Sequence, residues 1–365
     1  MALNENTDAG MVNGKSVPRW SEWSLSSIPG PYWLVGVFMI IMPILVSEFI
    51  LFQVFGWALI LGMIALSLMF LGGYGGMVSL VQMSVASCAA YMLAIFGHSA
   101  IAQISLGWPW WVAIPIALIV ATAFGTLTGA LAVRTEGIYT IMITLAIASA
   151  FFYFTRQNYV LFNGFSGFNG IKPPPLFGVN WRDPIPFYYL TLFCAAVAYF
   201  AVLYVSRAPF GLALQGVRDN PRRMEALGYN VTGHRIAAYV FASFIAAVAG
   251  ILLVWLNGQV SPGTASVGAV VDILIIAVVG GIGRPIGPFI GAFIYVLLRI
   301  FALDFLVTIG LSGERFQLLV GLVFLVIVFW SPDGILGLWD RWGRRANSRD
   351  RLTGQAADDD RGTKS

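Results

Sequence analysis

This chain predicts an all-α polytopic membrane protein, on three observations. Of its 365 residues, 58% are hydrophobic and only 10% charged, where a soluble domain carries about a quarter charged. Mean hydropathy is +0.81. The apolar residues come in repeated runs close to the roughly 20 residues a helix needs to cross a hydrocarbon core of about 30 Å, whereas barrel strands would be shorter and alternate in polarity.

Residues 1–31 mix Asn, Asp, Glu, Ser and Gly without an apolar core and read as a polar tail, not a cleavable signal peptide. Trp20, Trp23 and Trp33 mark the approach to the interface, where indole rings favour the headgroup layer. A transmembrane domain is expected over 32–340, with about ten spans near 33–53, 54–72, 75–96, 109–132, 138–156, 187–206, 236–257, 267–283, 286–300 and 315–331. Glu48 interrupts the opening run, and Arg299 with Asp304 closes the ninth. The stretch 341–365 is basic and then acidic (Asp358 to Asp360), the composition of a disordered tail. Cys88 and Cys194 fall inside apolar runs and read as small packing residues.

Lys and Arg set the orientation. With the N-terminus cytoplasmic, Lys15, Arg19, Arg134, Arg207, Arg218, Arg222, Arg223, Arg235, Arg284 and the cluster from Arg341 to Arg351 fall inside, while Arg156, Lys172, Arg182 and Arg315 fall outside. That asymmetry follows the positive-inside rule and an even number of helices, with both termini cytoplasmic. The long polar stretch 207–235 is then cytoplasmic. Within it Asn220 suits an N-cap, Pro221 the first helical position and Gly228 a left-handed C-terminal cap, so a two-turn helix is predicted at about 221–227. Arg222 and Arg223 in its first turn oppose the helix dipole, so they serve something other than helix stability: docking on a partner, or topology and lipid phosphates. Met224 and Leu227, three apart, present an apolar edge beside Ala226.

Two glycine-rich breaks follow. LGGYGGMVSL at Leu71 to Leu80 and VGGIGRPIGPFIGA at Val279 to Ala292 sit at the edges of apolar runs. Such glycine density weakens a helix but permits sharp reversal or close helix crossing. Their places in the first and second halves of the span order predict two halves of opposed topology, with small-residue packing as the alternative. Ionisable groups at depth are few. Asp272 reads first as a cap or interfacial residue and second as a proton relay, and His98 and His234 as solvated loop residues. There are no paired carboxylates, no His/Cys cluster, no GxSxG elbow and no phosphate-binding GxxxxGK[ST] loop. Neither an enzyme nor a direct ATP-binding role has residues to support it.

Several motifs in order carry a resemblance: GYGGMVSLVQ from Gly73 to Gln82, RTEGIYTIMITLA from Arg134 to Ala146, NGFSGFNG from Asn163 to Gly170 followed by Pro173 to Pro175, the stretch Ser206 to Val231, Val271 to Ala292, and SPDGILG from Ser331 to Gly337. Over most of 33–340 the chain resembles the M-type permease subunit of branched-chain amino-acid ABC importers, the LivM-like family that also contains urea and amide permeases. The resemblance implies a transport subunit that is not itself an enzyme, in a bacterial inner membrane. Its implied partners are a second related permease, two cytoplasmic ATPase subunits carrying ATP and Mg, and an extracytoplasmic solute-binding protein. No cofactor, metal or nucleic acid is implied for this chain.

A coupling helix pressed by the ATPase then falls on Arg218, Asn220, Pro221, Arg222, Glu225, Ala226, Leu227 and Gly228. The pathway and its gate fall on Gly73, Gly75, Gly76, Ser79, Gln82, Tyr139, Thr144, Asp272, Gly280, Gly281 and Gly283. The outer loop that would receive solute falls on Asn163, Gly164 and Gly167. The chain departs from the family pattern after Gln82, where MSVASCAAY follows and Val81 replaces a common glycine, and at Asn163 and Phe165, where a Thr-Gly-Gly run is usual. These departures bear on the solute more than on the architecture. A neutral amino acid leads, with urea or a short amide, or an ion-coupled transporter or channel, as alternatives.

Overall fold

The structure, a computed structural model, describes residues 11–12, 15–16, 39, 41–43, 45–101, 103–135, 137–175, 178, 180–308, 321–322 and 325. Most of the tail 1–31, nearly all of the span expected at 315–331, the SPDGILG motif and the tail 341–365 lie outside the described residues. Two units are distinguished, Met1–Ser47 and Glu48–Ser365. In the first, Met11–Val12 (β1) pairs antiparallel with Lys15–Ser16 (β2), and the Val46 amide donates to the Met42 carbonyl.

The second unit is a helical bundle. Its first helix, α1 (Glu48–Tyr74), runs unbroken for 27 residues, so the division expected at 53/54 is absent. Leu51–Gly56 adopts π-helical turns that keep the ladder continuous. Glu48 starts this helix instead of interrupting a span, and a carboxylate in a first turn is where the dipole favours it. A second π-helical segment, Phe70–Tyr74, ends α1 in the first glycine-rich stretch. Gly75 to Val81 is then irregular, and α2 is only Gln82–Phe96, shorter than the span expected from residue 75. At 1.5 Å per residue α2 is about 22 Å long, less than a hydrocarbon core. The remainder is made up by the irregular segment, which lies inside the protein: the Leu80 amide donates to Thr144 Oγ1 at 3.1 Å, at a buried position. Non-helical backbone at depth needs such a partner, because lipid supplies none.

Next come α3 (Trp110–Ala132), α4 (Ile138–Gln157), the short α5 (Tyr159–Phe162) and α6 (Pro184–Arg207). Two helices occupy the polar stretch, α7 (Pro209–Asp219) and α8 (Pro221–Ala226). The first of these is absent from the sequence expectation. Helix α9 (Val231–Asn257) starts five residues before the expected 236, because Asn230 Oδ1 caps it by accepting from the Gly233 amide at 2.8 Å. Then α10 (Val267–Gly280) turns into α11 (Gly287–Thr308). Neither Arg299 nor Asp304 ends α11. The exposed Arg299 guanidinium instead lies 5.7 Å from the Trp57 ring centroid, a cation–π placement on the bundle surface.

Five of these helices, α1, α3, α4, α6 and α9, are long and apolar enough to cross a membrane, and α2, α10 and Gly287–Phe301 are shorter apolar helices. Five long and three short, among the described residues, stand where ten spans are expected. Helices α1, α2 and α9 form the interior: 94% of the apolar window of α1 is buried, against 22% for α4 at the periphery. Small residues bring the central backbones together. A Cβ on Gly250 of α9 would enter the Ala86 carbonyl of α2, and one on Gly62 of α1 would come within 2.6 Å of the Phe289 ring of α11. Far from α7 and α8, Phe168–Asn169 (β3) pairs antiparallel with Gln259–Val260 (β4), and the Ile171 amide donates to the Gly258 carbonyl. This stitches the loop after α4 to the α9–α10 connection.

Gly250→Val is expected to lower the thermal midpoint of the purified protein sharply, since overpacking costs about 1–3 kcal/mol and the opposing group is backbone; an unchanged midpoint would refute the α2–α9 contact. Thr144→Val should cost about 1–3 kcal/mol by leaving the Leu80 amide unpaired, with Thr144→Ser close to wild type. Equal stability of the two variants would show that the 75–81 segment does not depend on that hydroxyl.

Candidate functional site

The two glycine-rich stretches, separated by some 200 residues, meet. Gly72 and Gly73 at the end of α1 lie against Ile282 in the α10–α11 turn, and a Cβ on Gly73 would be 2.5 Å from the Ile282 carbonyl oxygen. Gly280 approaches Gly287 closely enough that a Cβ would enter its carbonyl, so α10 and α11 fold back on each other backbone to backbone. Gly281 has φ 101° and the space around Gly283 is open. Gly75 continues the turn that ends α1, its amide donating to Leu71. Both predicted breaks are therefore real helix ends, and they form one junction.

The α7–α8 hairpin is seated at this junction. Buried Ala213, Leu214 and Val217 fix α7 to the bundle, and Gln215 Nε2 donates to the Ser206 and Gly211 carbonyls at 2.9 and 3.2 Å, closing the α6–α7 corner. The i, i+3, i+4, i+7 spacing of Phe210, Ala213, Leu214 and Val217 is the signal that would have found this helix. Asn220 caps α8 by accepting from the Arg223 amide at 3.0 Å, and Pro221 occupies the first helical position. The helix ends in a Schellman motif: the Tyr229 amide donates to the Met224 carbonyl, the Gly228 amide to that of Glu225, and Gly228 takes φ 88°. All three predicted punctuation residues hold the positions their chemistry requires.

Arg222, Arg223, Glu225, Ala226 and Leu227 face outward, Leu227 at 65% exposure. The apolar edge expected of Met224 and Leu227 is split, because Met224 turns inward onto Gly216, where only a hydrogen leaves room for its sulfur. Arg218, its side chain still 39% exposed, reaches across the rim instead of standing out with them. Its Nε and Nη2 both reach Asp219 Oδ1 at 2.9 Å, and its Nη1 donates to the Gly73 carbonyl. Nor is His234 a free loop residue. It lies in the first turn of α9, stacked on Phe210 at 5.7 Å and 10° and meeting Tyr229 edge-on.

Deeper in the bundle, Ser79 and Gln82 are fully buried, and Gln82 Oε1 accepts from Ser67 Oγ at 3.2 Å. Ser84 and Ser87, with Ser243 of α9, keep hydroxyls that make no hydrogen bond among the described residues, while Tyr91 faces Thr155 and Tyr239 faces Ser79. Ser84, Ser87 and Tyr91 recur at helical spacing on one side of α2. The buried face of α4 carries Thr140, Thr144 and Thr155. Hydroxyls thus supply most of the buried polarity here, and the glycines at 125 and 129 that admit Ser243 and Tyr239 were the available signal.

Tyr139 stands apart from this group, 70% exposed on the other side of α4. Asp272 is no cap: Ser266 Oγ caps α10 by accepting from the Ala269 amide at 3.3 Å, and Asp272 sits a turn later, facing Tyr295 and Arg299 of α11. In the loop after α4, Asn163 adopts a left-handed conformation with φ 55° and donates from Nδ2 to the Gly167 carbonyl at 2.7 Å. Gly164 and Gly167, both with positive φ, lie against the Tyr159 ring and the Val260 carbonyl. Those three residues shape the loop at the far end of the bundle.

Residues 50–328 match a family described as branched-chain amino acid transport system / permease component. The chain is 25% identical over 287 residues to the high-affinity branched-chain amino acid transport system permease protein LivM of Salmonella typhimurium, covering 72% of this chain and 63% of that relative. It is 25% identical over 236 residues to a probable LivM of Methanocaldococcus jannaschii, 60% of this chain and 67% of the relative, and 23% identical over 258 residues to the ribose import permease protein RbsC of Haemophilus influenzae, 67% and 75%. No solved structure matches. With more than half of its length matched, and with a bundle of apolar helices interrupted where the glycine motifs fall, this chain belongs to the permease component family of branched-chain amino acid transport systems.

Proposed function

We propose that the chain is the membrane-spanning permease subunit of an ATP-driven importer, in which α7 and α8 receive the movement of a cytoplasmic ATPase. The observation that carries this reading is the hairpin itself: a doubly capped two-turn helix, its cationic and apolar side chains outward, packed on α7, which in turn meets the end of α1 at the junction of the helix breaks. Capping on both sides keeps α8 helical without burying it, which suits a rigid knob offered to a partner's groove. A second related permease, two ATPase subunits with ATP and Mg, and a solute-binding protein meeting the Asn163 to Gly170 loop complete the assembly. Both termini face the cytoplasm, on the same side as α8.

The solute is a neutral or zwitterionic molecule, foremost a branched-chain amino acid. Two features support it: the relatives named for such transport, and buried polar groups on α2 and α4 that are hydroxyls and an amide, without fixed charge. A path of this kind satisfies polar groups of a passing solute while offering no ion strong enough to trap it. Alternating access then means that closure of the ATPase pair repositions α8, and with it the helix breaks, between two packings that differ in which side is open.

The test is uptake into proteoliposomes holding this chain with its second permease and ATPase pair, with binding protein added outside and leucine, urea, short amides and ribose as solutes. ATP-dependent leucine accumulation is expected; accumulation driven by a sodium or proton gradient without the ATPase overturns the reading. Glu225→Arg should abolish ATP-driven uptake while membrane insertion and assembly of the permease pair stay intact, and wild-type uptake by this variant would show that α8 is not the docking element.

A further inference from the structure

Arg218 stands in the last turn of α7, one residue before the cap of α8, and by sequence it belongs with the outward arginines. Its side chain stays 39% exposed, but the structure turns its donors onto the chain itself. Two of its nitrogens are held on Asp219, and the third reaches across 145 residues of sequence to the Gly73 carbonyl. That carbonyl belongs to the π-helical end of α1, where the last carbonyls of a helix lack partners of their own.

The side-chain stem lies along Gly76, which has φ 67° and where a Cβ would come within 2.6 Å of Arg218 Cγ. Glycine is required there twice, for its backbone conformation and for the space. On its other side Gly73 is in contact with the Ile282 carbonyl of the α10–α11 turn. Hairpin, α1 terminus and α10–α11 turn are therefore in series, with Arg218 as the polar link between the first two.

We propose that Arg218 is a positioning residue that transmits movement of the α7–α8 hairpin to the helix breaks, and not a docking contact for the ATPase. The proposal rests on the function proposed above and adds the route by which force leaves the hairpin. Three properties suit the side chain to this task. Asp219 holds one edge of the planar guanidinium and so restricts its rotamers. Buried Leu214 and Val217 anchor the base of α7, so the hairpin carries Arg218 with it as it moves. Gly73 and Ile282 are already in close contact, so a displacement of Gly73 is passed on, because packed interiors do not compress. An arginine that only enforced topology or only docked would need no acceptor at Gly73, whereas this one, though 39% exposed, places a donor on that carbonyl.

The experiment compares wild type with Arg218→Met and Arg218→Lys in the full assembly. Methionine keeps an apolar stem against Gly76 and removes the donors, while lysine keeps the charge and a single donor. Arg218→Met is expected to assemble with the ATPase and hydrolyse ATP near the wild-type rate, while uptake falls roughly tenfold, so that ATP consumed per solute rises by the same factor, within the usual range of coupling between distinct sites. Arg218→Lys should recover part of that loss.

Wild-type uptake in Arg218→Met overturns the proposal. So does loss of ATPase co-purification, which would make Arg218 a docking residue, and so does failure of both variants to assemble, which would make it a folding contact. If instead the wild-type assembly shows no ATP-driven uptake, the proposed function itself is what fails.

Discussion

The constraint on which the rest of this structure depends is backbone approaching backbone through glycine. Between helices in a bilayer there is no hydrophobic driving force, because lipid tails are as apolar as leucine, and association depends on close van der Waals contact and a few hydrogen bonds. Gly250 against Ala86, Gly280 against Gly287 and Gly73 against Ile282 are contacts of this kind. They draw α9 onto α2, fold α10 onto α11, and bring the end of α1 to the α10–α11 turn. Remove that closeness and the helices remain apolar rods with no reason to adopt this arrangement.

The same economy explains the polar groups. Once α1 ends at Tyr74, a stretch of unpaired backbone must be satisfied inside the protein, and Thr144 supplies an acceptor for Leu80. Arg218 does the corresponding work at the rim by donating to Gly73. Fixed charge is kept to few places in the bundle. Arg299, on the surface of the bundle, lies on the Trp57 ring and faces Asp272, so that its charge is shared with an aromatic face and a carboxylate. Elsewhere hydroxyls provide most of the polarity.

The hairpin after α6 shows the opposite balance. Little of α8 is buried, and its helical form comes from local chemistry: an Asn cap, a proline at the first position and a glycine-terminated end. A helix built from its own caps can change neighbours without unfolding. Behind it, the stack of Phe210, His234 and Tyr229 and the packing of Met224 on Gly216 tie it to the start of α9 and to α7. The loop after α4 is likewise shaped by its own residues, Asn163 and two positive-φ glycines, and fastened by the β3–β4 pair.

Helix type, most span boundaries and the ends of α8 were legible in the sequence, because each rests on local chemistry: apolar run length, N-cap and C-cap residues, and glycine density. Helices α3, α4 and α6 fall within a few residues of expectation for that reason. Glu48, Arg299 and Asp304 misled, since a charge in an apolar run has no fixed meaning until its partner is known; a first-turn position and a tryptophan ring decided two of them. The turn of Met224 onto Gly216, the reach of Arg218 to Gly73, the exposure of Tyr139 and the meeting of two glycine stretches far apart in sequence were decided by tertiary structure alone. A sequence determines which residues bend, cap or repel lipid, through interactions spanning a few positions. Which distant backbone lies opposite a glycine, or which carbonyl an arginine finds, is settled only when the helices pack, because those energies exist only between segments the chain has brought together.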